Sequence, residues 1–274
     1  MTFVRVRDLN VYYEIHGSGP RLLYIGGTGG DLRQKPNVFE GPLAKTFTLL
    51  VYDQRGLGRT EVPDAVYTMA DYAEDANALL DEVGWETCQV MGVSFGGMVA
   101  QELAVRHPER VSRMVMACTS SGGVGGASYP IHELARLEMG ERVRRMILLS
   151  DTRRDAAWQA AHASDLEAIQ AQRLEVAQVG AGEQGREAGR NGQLEARRHH
   201  DTFDRLAALN MPVFICGGKY DGIAPVDNLE ALERQIPNAH LELFEGGHLF
   251  LREDRRAIQR VIAFFQGDQD NEDA

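Results

Sequence analysis

The segment Gly92-Val-Ser-Phe-Gly96 constrains the fold of this chain more than any other. It follows the short apolar run Gln89–Val93 and precedes a stretch of helical spacing that ends at His107-Pro108. Glycines on both sides of a serine permit a strand-to-helix turn too tight for flanking residues that carry a Cβ. Such a turn holds the serine hydroxyl out above the sheet edge. With 29 glycines and eight serines in 274 residues, the pattern arises by chance about 0.09 times per chain. A fortuitous glycine-rich turn is the poorer explanation, and Ser94 reads as a nucleophile.

The surrounding pattern is that of an α/β protein. Leu22–Ile25, Phe47–Tyr52, Val111–Cys118, Pro212–Cys216 and Leu241–Phe244 are short apolar runs. The first two and Val111–Cys118 lack alternation, which suits strands buried on both faces of a parallel sheet. Phe3–Arg7 and Val11–His16 alternate and read as outer strands. Between strands, Met69, Tyr72, Ala73, Ala76, Leu79, Leu80 and Val83 mark one helical face, with Thr68 and Asp71 as a capping box and Gly84 as the stop. A final amphipathic helix carries Leu251, Ile258, Val261, Ile262 and Phe265. From Thr119 to Leu209 the alternation stops and the chain is helix-like, with Trp158, Leu166, Ile169 and Leu174 on irregular apolar faces. A polar glycine-rich piece runs from Gly180 to Gly192. The expected organisation is a core of residues 1–118 and 210–274 interrupted by a helical cap at 119–209.

A serine hydroxyl is a weak nucleophile and needs a base held by a carboxylate. Asp221, in Gly217-Gly-Lys-Tyr-Asp221, and His248, in Glu245-Gly-Gly-His248, each follow a strand-like run in the order Ser, acid, His. Parallel sheets place their sites beyond the carboxyl ends of strands, so one edge carries all three. The oxyanion would be met by the backbone N–H groups of Phe95 and of Thr28, the latter in Gly26-Gly27-Thr28-Gly29-Gly30. Other candidates fit less well. The literal G-x-G-x-x-G at Gly180–Gly185 follows a helix rather than a strand. His199, His200 and Asp201 lack a partner motif for a metal; a structural role where the insertion rejoins the core is expected, with His200 touching the pocket. Asp53 and Arg55 are expected to order a turn, and His107 to cap a helix or face solvent. Cys88, Cys118 and Cys216 lie in or beside apolar runs without C-x-x-C spacing and read as buried residues.

On these motifs the chain resembles the α/β-hydrolase superfamily along nearly its whole length. The match includes Asp53-Gln-Arg-Gly-Leu-Gly, Gly-Val-Ser-Phe-Gly-Gly, Gly-Gly-Lys-Tyr-Asp and Gly-Gly-His-Leu-Phe. It is most similar to the compact lidded branch of carboxylesterases, 3-oxoadipate enol-lactonase-like enzymes and cofactor-free haloperoxidase-like esterases. The resemblance implies a mostly parallel eight-stranded sheet flanked by helices, with a helical cap over the site. Two positions depart from the pattern: Gly26 stands where many relatives have the histidine of a His-Gly pair, and Phe95 where many enol-lactonases have methionine. Gly26-Gly27 and Asp53-Gln-Arg-Gly also resemble proline iminopeptidases. Serine at 94 disfavours haloalkane dehalogenases and epoxide hydrolases, whose elbows carry a carboxylate.

The expected activity is hydrolysis of a small carboxylic ester or lactone through an acyl-enzyme on Ser94, with no cofactor and no metal. An aminopeptidase or amidase is the alternative, with Glu133 or Glu138 as the partner of a substrate ammonium; a slow-turnover ligand receptor on the same scaffold is another. A formal charge of −11 disfavours nucleic acid and anionic membranes as partners. No apolar stretch reaches a membrane span, and the amino terminus lacks a secretory pattern, so a cytoplasmic location is expected.

Overall fold

The computed structural model describes residues 2–267, except the side chains of Ala135 and Met139. Among them, eight strands form one sheet: β1 (Thr2–Val6), β2 (Leu9–His16), β3 (Arg21–Ile25), β4 (Thr48–Tyr52), β5 (Cys88–Val93), β6 (Val111–Ala117), β7 (Val213–Gly218) and β8 (Ala239–Phe244). Their spatial order is β1-β2-β4-β3-β5-β6-β7-β8. The β1–β2 and β2–β4 pairings are antiparallel and the others parallel. The helices are α1 (Leu43–Thr46), α2 (Met69–Glu82), α3 (Phe95–Arg106), α4 (Met139–Ser150), α5 (Ala156–Ala161), α6 (Ala163–Gln178), α7 (Arg186–Arg198), α8 (Val226–Gln235), α9 (Phe250–Glu253) and α10 (Arg255–Gln266).

The apolar runs without alternation are explained by a core on each face of the sheet. In β3, Leu23 and Ile25 join one cluster with Tyr72 and Leu79 of α2 and Leu103 of α3. Their neighbour Leu22 joins the opposite cluster with Phe47, Phe214, Val261 and Phe265. Consecutive side chains point to opposite faces, so a strand covered on both sides must be apolar at every position. The Thr68–Asp71 capping box is present at the start of α2. The expected single carboxyl-terminal helix is instead two: Asp254 accepts the Arg256 N–H as an N-cap, so Leu251 lies in the short α9 and the amphipathic face begins anew in α10. The three cysteines are buried and free.

Parallel register brings the carboxyl ends of the central strands to one edge. Ile25 pairs with Gly92, Val93 with Ala117, Ala117 with Cys216 and Gly218 with Phe244. The loops after β3, β5, β7 and β8 therefore open on the same side. Between β6 and β7 the described elements are helical, and a single bridge between Gly122 and Asp201 joins the two ends of this segment. Its small apolar cluster, Leu134 and Leu149 with Tyr129, Ile131 and Met146, packs around Ile223 beside the loop after β7.

Candidate active site

Ser94 stands between β5 and α3 with φ 55° and ψ −115°, a left-handed conformation costly for a residue with a Cβ. The turn closes because its flanks are glycines. A Cβ on Gly92 would lie 2.3 Å from the Gly96 carbonyl oxygen, and one on Gly96 would lie 2.0 Å from that of Ile25. The Ala117 carbonyl accepts the Ser94 N–H at 2.8 Å, and the Thr119 hydroxyl donates to the Ser94 carbonyl at 2.8 Å. The strain is thereby held by the Ala117 backbone and the Thr119 side chain, and the hydroxyl projects over the sheet edge.

His248 Nε2 lies 3.0 Å from Ser94 Oγ, and its Nδ1 lies 2.7 Å from Asp221 Oδ2. With the proton on Nδ1, the ring donates to Asp221 and leaves Nε2 to accept from the serine. Asp221 is also held by its own loop, since its Oδ1 accepts the N–H groups of Ile223 at 2.7 Å and Ala224 at 3.0 Å. The end of α4 spans both loops. The Leu149 carbonyl accepts the Gly222 N–H at 2.9 Å and the Ser150 carbonyl accepts the His248 N–H at 2.6 Å. The structure thus places Ser94, Asp221 and His248 in one hydrogen-bonded line. Cys118 Sγ lies within 4.8 Å of ligand atoms of Asp221 and His248, the one such trio among the described residues able to share an ion. Burial pushes that thiol well above its ordinary value and the Asp221 charge adds to this, so a neutral thiol stands there.

The glycine loop after β3 approaches from the other side. A Cβ on Gly27 would sit 3.5 Å from Ser94 Cβ, and Thr28 lines the same cavity as Ser94. Phe95 opens α3, so its N–H has no acceptor within the helix. Two glutamines hold the loop that begins at Gly26. Gln54 donates to the Gly26 carbonyl at 2.9 Å, and the Gln193 side-chain carbonyl accepts the Gly29 N–H at 2.8 Å. Gln193 is fully buried on α7. Neither glutamine stands out by type or spacing in the sequence.

Ser94, His248 and Thr28 face a cavity of about 410 Å³ that is also lined by Ile131, Met146 and Arg197 from the segment between β6 and β7. The other sequence candidates lie apart from it. Glu133 and Glu138 are exposed and do not line it. His199 is exposed and pairs with Glu195 at 2.9 Å, while His107 pairs with Glu74 at 3.1 Å. His200 does not touch the Ser94 cavity as expected. It is buried beside a separate space of about 100 Å³, where burial pushes its imidazole down to about 4. Arg197, three residues earlier and still within α7, lines that cavity instead. Asp53 does order its turn, accepting the N–H groups of Leu32 at 2.7 Å and Arg59 at 2.9 Å, and burial raises its carboxyl to about 6. Arg55 is not its partner and pairs with Asp75 at 2.7 Å. Among the described residues no helix is long and apolar enough to cross a membrane.

Comparison with known proteins agrees with this architecture. Residues 20–254 match the family model of the alpha/beta hydrolase fold. The chain is 27% identical over 252 residues to a poly(3-hydroxyalkanoate) depolymerase of Ectopseudomonas oleovorans, covering 89% of this chain and 83% of that one. The enol-lactonase of Burkholderia xenovorans LB400 superposes with a TM-score of 0.76 at 21% identity, over 97% of this chain and all 100% of its own. A meta-cleavage product hydrolase of Pseudomonas fluorescens IP01 superposes with a TM-score of 0.79 at 18% identity, over 98% of each chain. At these identities the two structures share the fold.

Proposed function

The chain belongs to the α/β-hydrolase fold family, and from that premise we propose that it is a serine hydrolase of small carboxylic esters or lactones. The observation that carries this reading is the line Asp221–His248–Ser94, with contacts of 2.7 and 3.0 Å, opening into a cavity of about 410 Å³. Ser94 Oγ attacks the acyl carbon as His248 Nε2 takes its proton, and Asp221 steadies the imidazolium. The N–H groups of Phe95 and Thr28 receive the oxyanion. Its collapse expels the alcohol, protonated by His248. Water, deprotonated by the same imidazole, then releases the acid and restores Ser94. Water is the only co-reactant this chemistry requires.

Residues 119–209 act as a cap that selects the substrate. Ile131, Met146 and Arg197 from this segment line the cavity, in keeping with that role. The aminopeptidase reading is disfavoured by the same lining: it holds a buried guanidinium, while Glu133 and Glu138 stand outside. The depolymerase that the chain resembles is named for a polyester substrate, in keeping with the ester reading. Steady turnover of short p-nitrophenyl esters, abolished in Ser94→Ala, is the expected result. A single-turnover burst without steady release would favour a receptor that binds and retains its ligand.

A further inference from the structure

Arg197 is 6% exposed on α7, and burial alone holds its guanidinium down at about 10. Its Nη2 donates to Ser128 Oγ at 2.7 Å and to the Tyr129 carbonyl at 2.8 Å. Among the described residues, no carboxylate lies within ion-pair distance of it. Arg55, equally buried, has its carboxylate, donating to both oxygens of Asp75 at 2.7 and 2.9 Å. Removing a charge from water without a partner is expensive. Two neutral acceptors met through one nitrogen do not repay that cost, since an uncharged amide would satisfy the Tyr129 carbonyl as well.

The surroundings leave the charge available. Arg197 lines the same cavity as Ser94 and His248. The two acids on that lining are otherwise engaged: Asp31 with Arg33 at 2.8 Å and Arg186 at 3.1 Å, Asp53 with the backbone of its turn. The other cations there, Lys35 and Arg252, are exposed. Arg197 also borders the smaller cavity beside His200, which no acid lines and in which Ser120 Oγ and both His200 ring nitrogens lack partners. The rest of the guanidinium fork, Nε and Nη1, is uncommitted, and its planar donors match the two oxygens of a carboxylate.

We propose that Arg197 selects substrates that carry a free carboxylate a few bonds from the scissile carbonyl, such as half-esters of short dicarboxylic acids, by pairing with that carboxylate. The inference rests on the hydrolase reading of the site and narrows its substrate class. A chain of net charge −11 does not attract anions as a whole, so the selection is local to this pocket.

The test compares monomethyl glutarate with dimethyl glutarate, by calorimetric binding to full-length Ser94→Ala protein and by kcat/KM with Ser94 intact. The half-ester should bind at least ten-fold tighter than the diester, and kcat/KM should favour it at least as strongly. Arg197→Gln, which keeps an amide donor for the Tyr129 carbonyl, should collapse both preferences, and Arg197→Lys should restore part of them. Equal binding of the two ligands by Ser94→Ala protein, or no binding of the half-ester, overturns the proposal. So does an Arg197→Gln variant that loses affinity for both ligands in equal proportion, which is the signature of a structural strap. A preference in binding without any turnover would sink the hydrolase reading and leave this inference standing.

Discussion

The side-chain carbonyl of Gln193 accepts the backbone N–H of Gly29 at 2.8 Å, tying α7 to the glycine loop beside Ser94. The amide next in line after Thr28 is thereby engaged, and the loop that would bind the oxyanion is held by a residue from the helical segment. Gln193 and Arg197 stand four apart on α7, so one helical face serves both the loop and the cavity.

Ser94→Ala and His248→Ala should each lower kcat by roughly 10⁴-fold or more, and the double variant should be little worse than either, because members of a catalytic triad act as a unit. Asp221→Asn should also be severe, since the Asp221 oxygen 2.7 Å from His248 Nδ1 is the imidazole's orienting acceptor. A fluorophosphonate probe should modify Ser94 alone. Labelling of another serine in the native protein would count against the assignment.

Thr28→Ala should leave kcat within a few-fold of the parent, while Thr28→Pro removes the backbone donor and should cost about 10²- to 10³-fold. The proline variant must first be shown to fold. The Gly29 amide is engaged by Gln193 and is not free to replace it. Near-full activity in a folded Thr28→Pro would place the second oxyanion contact elsewhere.

Gln193→Leu leaves the half-buried Gly29 N–H without its acceptor, a cost of about 1 kcal/mol. The loosened loop should lower kcat by about ten-fold with a smaller change in KM, since misplacement of a transition-state donor acts on the chemical step. Steady-state kinetics on one ester and a urea melt separate the two effects. A change confined to KM would show that Gln193 contacts substrate rather than the loop.

His200 gives a pH signature of stability. Burial lowers its pKa to about 4, with Glu102 and Asp201 opposing that shift and Arg205 assisting it. An unfolded imidazole titrates near 6.5. Between those values the unfolded chain binds more protons, so stability falls as pH drops through this window, by about 2 kcal/mol between pH 7 and pH 5. In His200→Gln that contribution disappears, and the melting temperature should fall less steeply on acidification than in the parent. An unchanged slope would place the titration elsewhere.

Gly189→Ala should unseat α7. The added Cβ would lie 1.8 Å from the Gly56 carbonyl oxygen, and backbone cannot yield as a flexible side chain does. A loss of about 1–3 kcal/mol is expected in a urea melt. Activity should fall as well, because the same helix carries Gln193 and Arg197.

Ser94, Asp221 and His248 are legible in the sequence because each depends on local backbone sterics. Each follows an apolar run that enters the sheet and sits in a turn that glycine permits, and parallel register then carries them to one edge. The α2 capping box is legible for the same reason, since its two partners are three residues apart. The inward face of α7 is not. Gly189, Gln193, Ala196 and Arg197 are its buried residues, and a face made of glycine, amide and guanidinium leaves no apolar period to find. Its partners, Gly56, Gly29 and the Tyr129 carbonyl, are distant in the chain; Gln193 and Gly29 stand 164 residues apart. Which polar side chains turn inward there is decided by the surface that α7 meets after the sheet has formed. The proposed nucleophile and its proton relay are therefore written into short segments, while the lining of the cavity above them exists only once the helical segment is packed against the core.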